Sequence, residues 1–254
     1  MQRKISITPN STLCSTCMLN SLCLPFGMSK EDISKLDSVV NERIRIPKGV
    51  ALFRQGDQTD AVFGIRSGSI KTQLEDAAGQ VQITGFLLPG EIAGMDGLLE
   101  SQQLSHAIAL EDSEACVIRI EQLDQLSQQF PVLQQQLRRL MGKEIQRSHQ
   151  MVMSLGLLRS EQRLAAFLLN LSQRLTALGY SPTEFLLRMS REEIGNYLGL
   201  TLETISRLFS RFARESLIRI HQREVQLLDI QGLQELAGTV IAPDSKNTIA
   251  KTGP

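Results

Sequence analysis

The chain is poor in the residues that mark most enzymes, and several sequence features are missing altogether. Among its 254 residues are three histidines and four cysteines. So few histidines are meagre equipment for hydrolytic chemistry. No P-loop, no H-E-x-x-H and no Ser-His-Asp set that can be positioned occurs, which argues against an enzyme. The formal charge is zero, 27 Lys and Arg against 27 Asp and Glu. Any binding of nucleic acid must therefore come from a local patch and not from the molecule as a whole. No run of about 18 apolar residues is present, so no membrane span is expected. The opening MQRKISITPNS lacks the apolar core of a signal peptide. The expected location is the cytoplasm, where structural disulfides are uncommon. The length suits one large or two modest domains with ample material for a core. Basic charge is also missing locally. From Thr72 to Ile118 there is no Lys or Arg, while Glu75, Asp76, Glu91, Asp96, Glu100, Glu111, Asp112 and Glu114 are present. A phosphate pocket would want Arg or exposed N–H donors, and residues 83–110 offer only His106. This region is not expected to bind a nucleotide.

What is present centres on Met189 to Ala213, MSREEIGNYLGLTLETISRLFSRFA. Ser190 followed three residues later by Glu193 is a capping box. Ile194, Tyr197 and Leu198 recur at helical spacing, and Gly199 ends the helix. Thr201 is a second N-cap, followed by an apolar stripe of Leu202, Ile205, Leu208, Phe209 and Phe212. The other face carries Glu203, Ser206, Arg207, Ser210, Arg211 and Arg214. Two short capped helices around a glycine turn are the helix-turn-helix pattern, in which the second helix enters the major groove. Arg suits guanine O6 and N7, Glu accepts from cytosine N4, and Ser serves either. An ordinary helical hairpin with a solvated charged face is the alternative.

Three of the four cysteines, Cys14, Cys17 and Cys23, stand in a C-x2-C-x5-C cluster near the start, and Cys116 lies far along the chain. No histidine is close to them in sequence. If the fold returns Cys116 to the leader, the four make an all-sulfur site suited to zinc or an iron–sulfur cluster. A zinc ribbon would normally carry a second C-x2-C pair. Leu13, Met18, Leu19, Leu22, Leu24 and Phe26 would form an apolar shell. Unliganded cytosolic thiols remain an alternative.

Between these motifs, Ser29 caps a short helix, and short alternating segments with turns at Gly49, Gly56-Asp57, Ser67-Gly68 and Pro89-Gly90 read as a β sandwich or barrel. A short helix spans 121–130. From Pro131 a long helix places Leu133, Leu137, Leu140, Met141, Ile145, Ser148, Val152 and Leu155 on a heptad-like seam. The seam is expected to pair with a second copy, with packing on the chain's own β region as the alternative. Ser160 is read as the cap of a further helix. ESLIRIHQREVQLLDI forms a hairpin, or wing, whose Arg219, His221 and Arg223 could touch phosphates. Residues 237–254 read as a disordered tail.

Three residue sets together resemble one family. KGVALFRQGD…IRSGSIK resembles the cyclic-nucleotide-type barrel of the CRP–FNR transcription regulators. The cysteine arm with Cys116, and IGNYLGLTLETISRLFSRF with its E-x2-S-R at Glu203, Ser206 and Arg207, are similar to the FNR (fumarate and nitrate reduction) group. The resemblance spans residues 13–236. It implies an α+β fold: a cysteine-rich arm at 1–28, a β-roll (jelly-roll) at 29–130, a dimerisation helix at 131–158 and a winged helix-turn-helix domain at 159–236. It further implies an oxygen-labile [4Fe–4S] cluster on Cys14, Cys17, Cys23 and Cys116, degraded by oxygen toward [2Fe–2S]. A homodimer through Met141, Ile145, Ser148, Val152 and Leu155 would bind promoter DNA at palindromic TTGAT-like half-sites using Thr201, Glu203, Ser206, Arg207 and Arg211. RNA polymerase would be touched near Gly79. Two departures stand out. Where nucleotide-binding relatives hold the cyclic phosphate with Arg-Ser, this chain has Ser105-His106, which argues against a cyclic nucleotide. Ser148 replaces an acidic residue of the dimer seam. The competing reading keeps the fold and replaces the cluster by a zinc or dithiol redox sensor.

Overall fold

The computed structural model of the chain describes residues 5–9, 13–20, 22–40 and 42–238; most of the expected tail, 239–254, lies outside the described residues. In chain order the elements are β1 (Ser6–Pro9), α1 (Lys30–Val39), β2 (Glu42–Ile46), β3 (Ala51–Phe53), β4 (Ala61–Ser67), β5 (Ile70–Glu75), β6 (Val81–Leu87), β7 (Ile92–Ala93), β8 (His106–Ala109) and β9 (Ser113–Arg119). Then come α2 (Ile120–Gln129), α3 (Pro131–Leu157), α4 (Ser160–Ala177), β10 (Glu184–Leu186), α5 (Arg191–Leu198), α6 (Leu202–Arg214), β11 (Ile218–His221), β12 (Glu224–Leu227) and α7 (Ile230–Ala237). Short 3-10 turns occupy Cys14–Thr16 and Met95–Leu98.

The chain divides into two compact units, Met1–Val152 with Arg188–Tyr197, and Met153–Leu187 with Leu198–Pro254. In the first, two antiparallel sheets, β1-β2-β9-β4-β7 and β3-β8-β5-β6, face one another. Ile46, Phe53, Ile65, Ile70, Leu87 and Val117 fill the space between them. Each such buried apolar side chain stabilises the fold by about 1.5–3 kcal/mol. Strand alternation then decides the site. In β9, Ala115 and Val117 point into the roll. Cys116 and Ile118 therefore face the other way, into a second cluster with Leu24, Leu36, Val62, Leu123, Leu126 and Leu133, built from the leader and α1, α2 and α3. Gly49, Gly56, Gly68 and Gly90 sit at the expected turns with positive φ.

The structure corrects the sequence reading at three places. A strand that the sequence reading left out, β1, pairs with β2 in register Ser6↔Arg45 to Pro9↔Glu42. Ser160 does not cap α4. Arg159 holds the extended cap geometry, and its N–H is taken by Gln162 Oε1 at 3.0 Å, leaving Ser160 as the first helical residue. Leu202 is not part of the buried stripe. At the first position of α6 it lies beyond the core and is 46% exposed.

In the second unit Leu164, Leu168, Ile205, Phe209, Phe212, Ile218, Val225 and Leu233 are buried. The β11–β12 hairpin joins β10 in a three-stranded sheet, giving the wing. The molecule is thus an α+β protein with a β-roll, a long helix and a C-terminal helix-turn-helix.

Candidate sensor site and nucleic-acid interface

The cysteine leader is a string of tight turns: Cys17 N–H to Cys14 O at 3.3 Å, Asn20 N–H to Cys17 O at 3.2 Å, Cys23 N–H to Leu19 O at 2.9 Å and Phe26 N–H to Cys23 O at 3.2 Å. Each end is tied to a helix. Asp37 of α1 accepts from the Ser15 N–H (3.2 Å) and hydroxyl (2.7 Å), fixing the Cys14–Cys17 turn. Gln136 of α3 donates to Cys23 O at 3.0 Å, and the guanidinium of Arg139 lies 4.0 Å from the Phe26 ring centroid. Leu22 packs on Gly90, where a side chain would stand 3.0 Å from the Leu22 Cβ.

Cys116 stands opposite Gly64 of β4 on one side and Arg43 of β2 on the other. A Cβ on Gly64 would lie 3.6 Å from the Cys23 Sγ and 4.0 Å from the Cys116 Cβ. The side chains of Cys23 and Cys116 thus both border Gly64. Burial pushes the Cys23 thiol up to about 12, opposed by the Leu24 N–H and reinforced by Cys116 and Cys17. Burial likewise pushes Cys116 up to about 11, with Arg66 opposing and Cys17 and Glu114 reinforcing. Cys14 is raised further still, first by burial and then by Cys23, Cys116, Asp37 and Cys17. Cys14, Cys23 and Cys116 thus each feel the charge of Cys17. They are gathered without being drawn into a closed shell: among the described residues no group of three or more His, Cys, Asp or Glu is arranged to hold a metal ion. The donor chemistry is nonetheless that of a thiolate-bound centre. Cys14, Cys23 and Cys116 share one apolar cluster with Met28, Met95, Leu98 and Leu137. His106, the nearest histidine in sequence to Cys116, is engaged elsewhere, with Glu75 at 3.4 Å and the Gln55 N–H at 3.4 Å.

Ser105 donates its hydroxyl to Asp96 at 2.7 Å.

The helix-turn-helix is capped as its sequence suggests. Ser190 Oγ accepts from Glu193 N–H (3.1 Å) and Glu193 Oε2 from Ser190 N–H (2.7 Å). Gly199 has φ +63°, and Thr201 Oγ1 accepts from Thr204 N–H at 3.2 Å. The turn is also locked from α4. Arg163 donates to the carbonyls of Leu155 (2.7 Å), Leu158 (2.9 Å) and Leu198 (2.9 Å), satisfying C-terminal groups of α3 and α5 that their helices leave unpaired. On α6, Thr201, Glu203, Arg207 and Arg211 are exposed and Ser206 is half-buried. The Glu203 carboxyl is held below its usual range by its own N–H, the Thr201 hydroxyl and Arg207. Arg211 pairs with Glu215 at 2.8 Å on the same helix.

Along α3 the expected seam changes character. Leu133 and Gln136 are buried and Leu137 and Leu140 half-buried, but Met141, Ile145, Ser148 and Val152 are exposed, with Leu155 intermediate. Ile145 is 57% and Val152 71% exposed. Arg147 pins the helix to the β-roll through Glu91 at 2.8 Å. No helix among the described residues is long and apolar enough to cross a membrane.

The sequence reading missed Gln136, Arg139, Asp37, Gly64 and Arg163. Gln136 carried a signal: it is a polar residue on the face that Leu133, Leu137 and Leu140 define as buried.

Comparison with known proteins agrees with this architecture. Residues 43–130 match the cyclic nucleotide-binding domain family, and residues 162–236 the Crp-like helix-turn-helix domain family. The chain is 63% identical over 238 residues to the transcriptional regulatory protein btr of Bordetella pertussis, covering 94% of this chain and 98% of that one. It is 41% identical to the anaerobic regulatory protein of Haemophilus influenzae (93% and 92% covered) and 42% identical to the fumarate and nitrate reduction regulatory protein of Vibrio cholerae (92% and 92%). The solved structure of FixK2 from Bradyrhizobium japonicum is similar with a TM-score of 0.71 and 25% identity, covering 77% of this chain and 96% of that one. The cysteine leader, the β-roll and the winged helix-turn-helix thus occur together in a chain that belongs to the FNR-type branch of the CRP–FNR transcription regulators, DNA-binding proteins and not enzymes.

Proposed function

We propose that this regulator senses oxygen through a [4Fe–4S] cluster on Cys14, Cys17, Cys23 and Cys116, and binds palindromic TTGAT-like promoter sites as a dimer under anaerobic conditions. One observation carries the reading: Cys23 and Cys116, 93 residues apart, share the space beside Gly64, and Cys14 and Cys17 are near enough to perturb them. A cluster of this kind supplies an oxygen-labile cross-link between leader and barrel. The residues do the rest. The thiols must lose their protons to ligate, so binding offsets the burial that keeps them neutral and ties the leader down. The stripe of Met141, Ile145, Ser148, Val152 and Leu155 has the period of a helix pair and is open to a second copy. Two linked recognition helices grip a palindrome far better than one.

On DNA, Arg207 suits a guanine, Glu203 a cytosine, and Ser206 and Thr201 adjoining groups. Arg211, already in an exposed ion pair, suits a phosphate. The family resemblance puts a contact with RNA polymerase near Gly79, in the turn that Asp76 N–H to Gln80 O closes at 3.0 Å. Ser105 and His106 stand where the family resemblance puts an Arg-Ser pair, and neither supplies a guanidinium, which supports a barrel that takes no cyclic nucleotide. A chromosomal target places the protein in the cytoplasm. The domain bounds proposed from sequence, with the leader at 1–28, the β-roll at 29–130, the dimerisation helix at 131–158 and DNA binding at 159–236, serve this division of labour.

A zinc or dithiol sensor on the same four cysteines is the second reading, since thiolate ligands suit either centre. Iron and sulfide assayed on protein prepared without air separates the two. Four irons per chain, bleached by air and lost in Cys116→Ser with the fold intact, supports the cluster; a colourless protein with one zinc overturns it.

A further inference from the structure

The cysteine leader meets the long helix at one place. Gln136 is 4% exposed and donates its amide to the carbonyl of Cys23 at 3.0 Å. One turn further along the same face of α3, the Arg139 guanidinium covers Phe26 at 4.0 Å. Cys23 and Phe26 are themselves joined, since the Phe26 N–H donates to that same Cys23 carbonyl at 3.2 Å. Two residues three apart on the helix therefore grip two residues three apart on the leader. Met141, the first exposed apolar residue of the stripe, follows Arg139 by two positions. Gln136 has no place in an ordinary packed helix: a buried amide must find a partner, and its partner is the backbone of a thiol-bearing turn.

We propose that Gln136 and Arg139 are the positioning residues that transmit the state of the thiol site to the dimerisation helix. Both hold α3 in register with the Cys23–Phe26 turn. When that turn is fixed from the thiol side, the first turns of α3 are fixed with it, and the open stripe beginning at Met141 is presented in one orientation. When the turn loosens, the Cys23 carbonyl leaves Gln136 and the helix start is released. A ligand can shift the monomer–dimer balance only through such a differential contact. The inference rests on the cluster reading above, and it needs no residue of α3 to touch the cluster.

The test is sedimentation equilibrium of the full chain without DNA, on wild type, Gln136→Leu and Arg139→Met, each metal-free and each loaded to a measured iron and sulfide content. Leucine keeps the volume of Gln136 without its donor. Methionine keeps the stem of Arg139, a partly exposed side chain whose loss the fold tolerates if Gln136→Leu does not fold. In wild type, loading should tighten the dimer by about 5–150-fold, the usual range of coupling between sites. In either variant iron content and the metal-free dissociation constant should match wild type, while the tightening shrinks to about twofold or less. A loaded variant that tightens as wild type does overturns the proposal. So does a variant whose metal-free and loaded constants weaken equally, since these side chains would then only pack the helix. A wild-type protein that binds no iron and sulfide overturns the cluster reading itself, and the transmission role falls with it.

Discussion

Gly64 and Cys116 face one another across β4 and β9, and the Cys23 sulfur comes in beside both. A Cβ at Gly64 would meet ordinary contact distances, so alanine fits the fold. Valine places two further carbons against the Cys23 sulfur and the Cys116 side chain. Gly64→Val should lower the affinity for iron by about 10–100-fold, as changes beside metal ligands do. Iron content after anaerobic reconstitution, with circular dichroism as the control for folding, measures this. Full iron in Gly64→Val would show that the metal sits away from the pair.

Arg207 is exposed on α6, four residues after Glu203, whose carboxyl it helps hold below the usual range. Arg207→Ala should cost about 1–3 kcal/mol of operator binding and relax the preference at one guanine. Binding to a set of singly substituted operators reads the effect. Equal weakening on every sequence would make Arg207 a phosphate contact instead.

Ile145 lies on the open part of α3. Ile145→Glu should weaken the dimer by about tenfold or more, because a charge is placed in the middle of an apolar stripe. The unfolding free energy of the monomer should change by no more than about 0.5 kcal/mol, as for other exposed positions. A large loss of monomer stability would mean that Ile145 packs within its own chain.

The Glu193 carboxylate sets an acid limit on stability. Burial works against its charge, but the Ser190 N–H and Lys71, 2.9 Å away, outweigh it and hold its pKa below the ordinary 4.5. A lowered folded-state pKa means the charged form favours folding. This contribution is complete above about pH 4.5 and is lost as the pH falls through the folded value. Glu193→Gln keeps an acceptor for Ser190 and removes the titrating charge. Its unfolding midpoint in denaturant should therefore fall less steeply below pH 5 than that of wild type. Parallel pH profiles for the two proteins would rule this out.

Much of this architecture was legible because local chemistry and tertiary packing agree. The Ser190–Glu193 box, the Gly199 turn and the Thr201 cap depend on residues three or four apart, and all formed as read. The cysteines were legible as a set because thiols have few other uses at such spacing. What could not be read was anything decided by long-range placement. β1 has only four residues, too short a run for its Ser6-Ile7-Thr8 alternation to announce a strand. Gly64 looks like any strand glycine until Cys116 is laid beside it. Gln136 serves a backbone carbonyl 113 residues away, and sequence spacing holds no trace of that. Leu202 and Ser160 were misplaced for a related reason: a helical period locates a face but not the residue at which a helix starts.

Asn196 of α5 has a consequence for anyone dividing this molecule. Its side chain donates to Val81 O at 2.7 Å and accepts from Ile83 N–H at 2.6 Å, while Gln82 reaches the Asn196 carbonyl at 2.8 Å. β6 is the outermost strand of its sheet, so these bonds occupy rungs that would otherwise be bare. A fragment ending before residue 188 would carry a sticky ladder in search of another chain, and would precipitate or pair edge to edge for reasons unrelated to its chemistry. The practical cut for an isolated amino-terminal half must keep, or replace, one asparagine that belongs by sequence to the DNA-reading end.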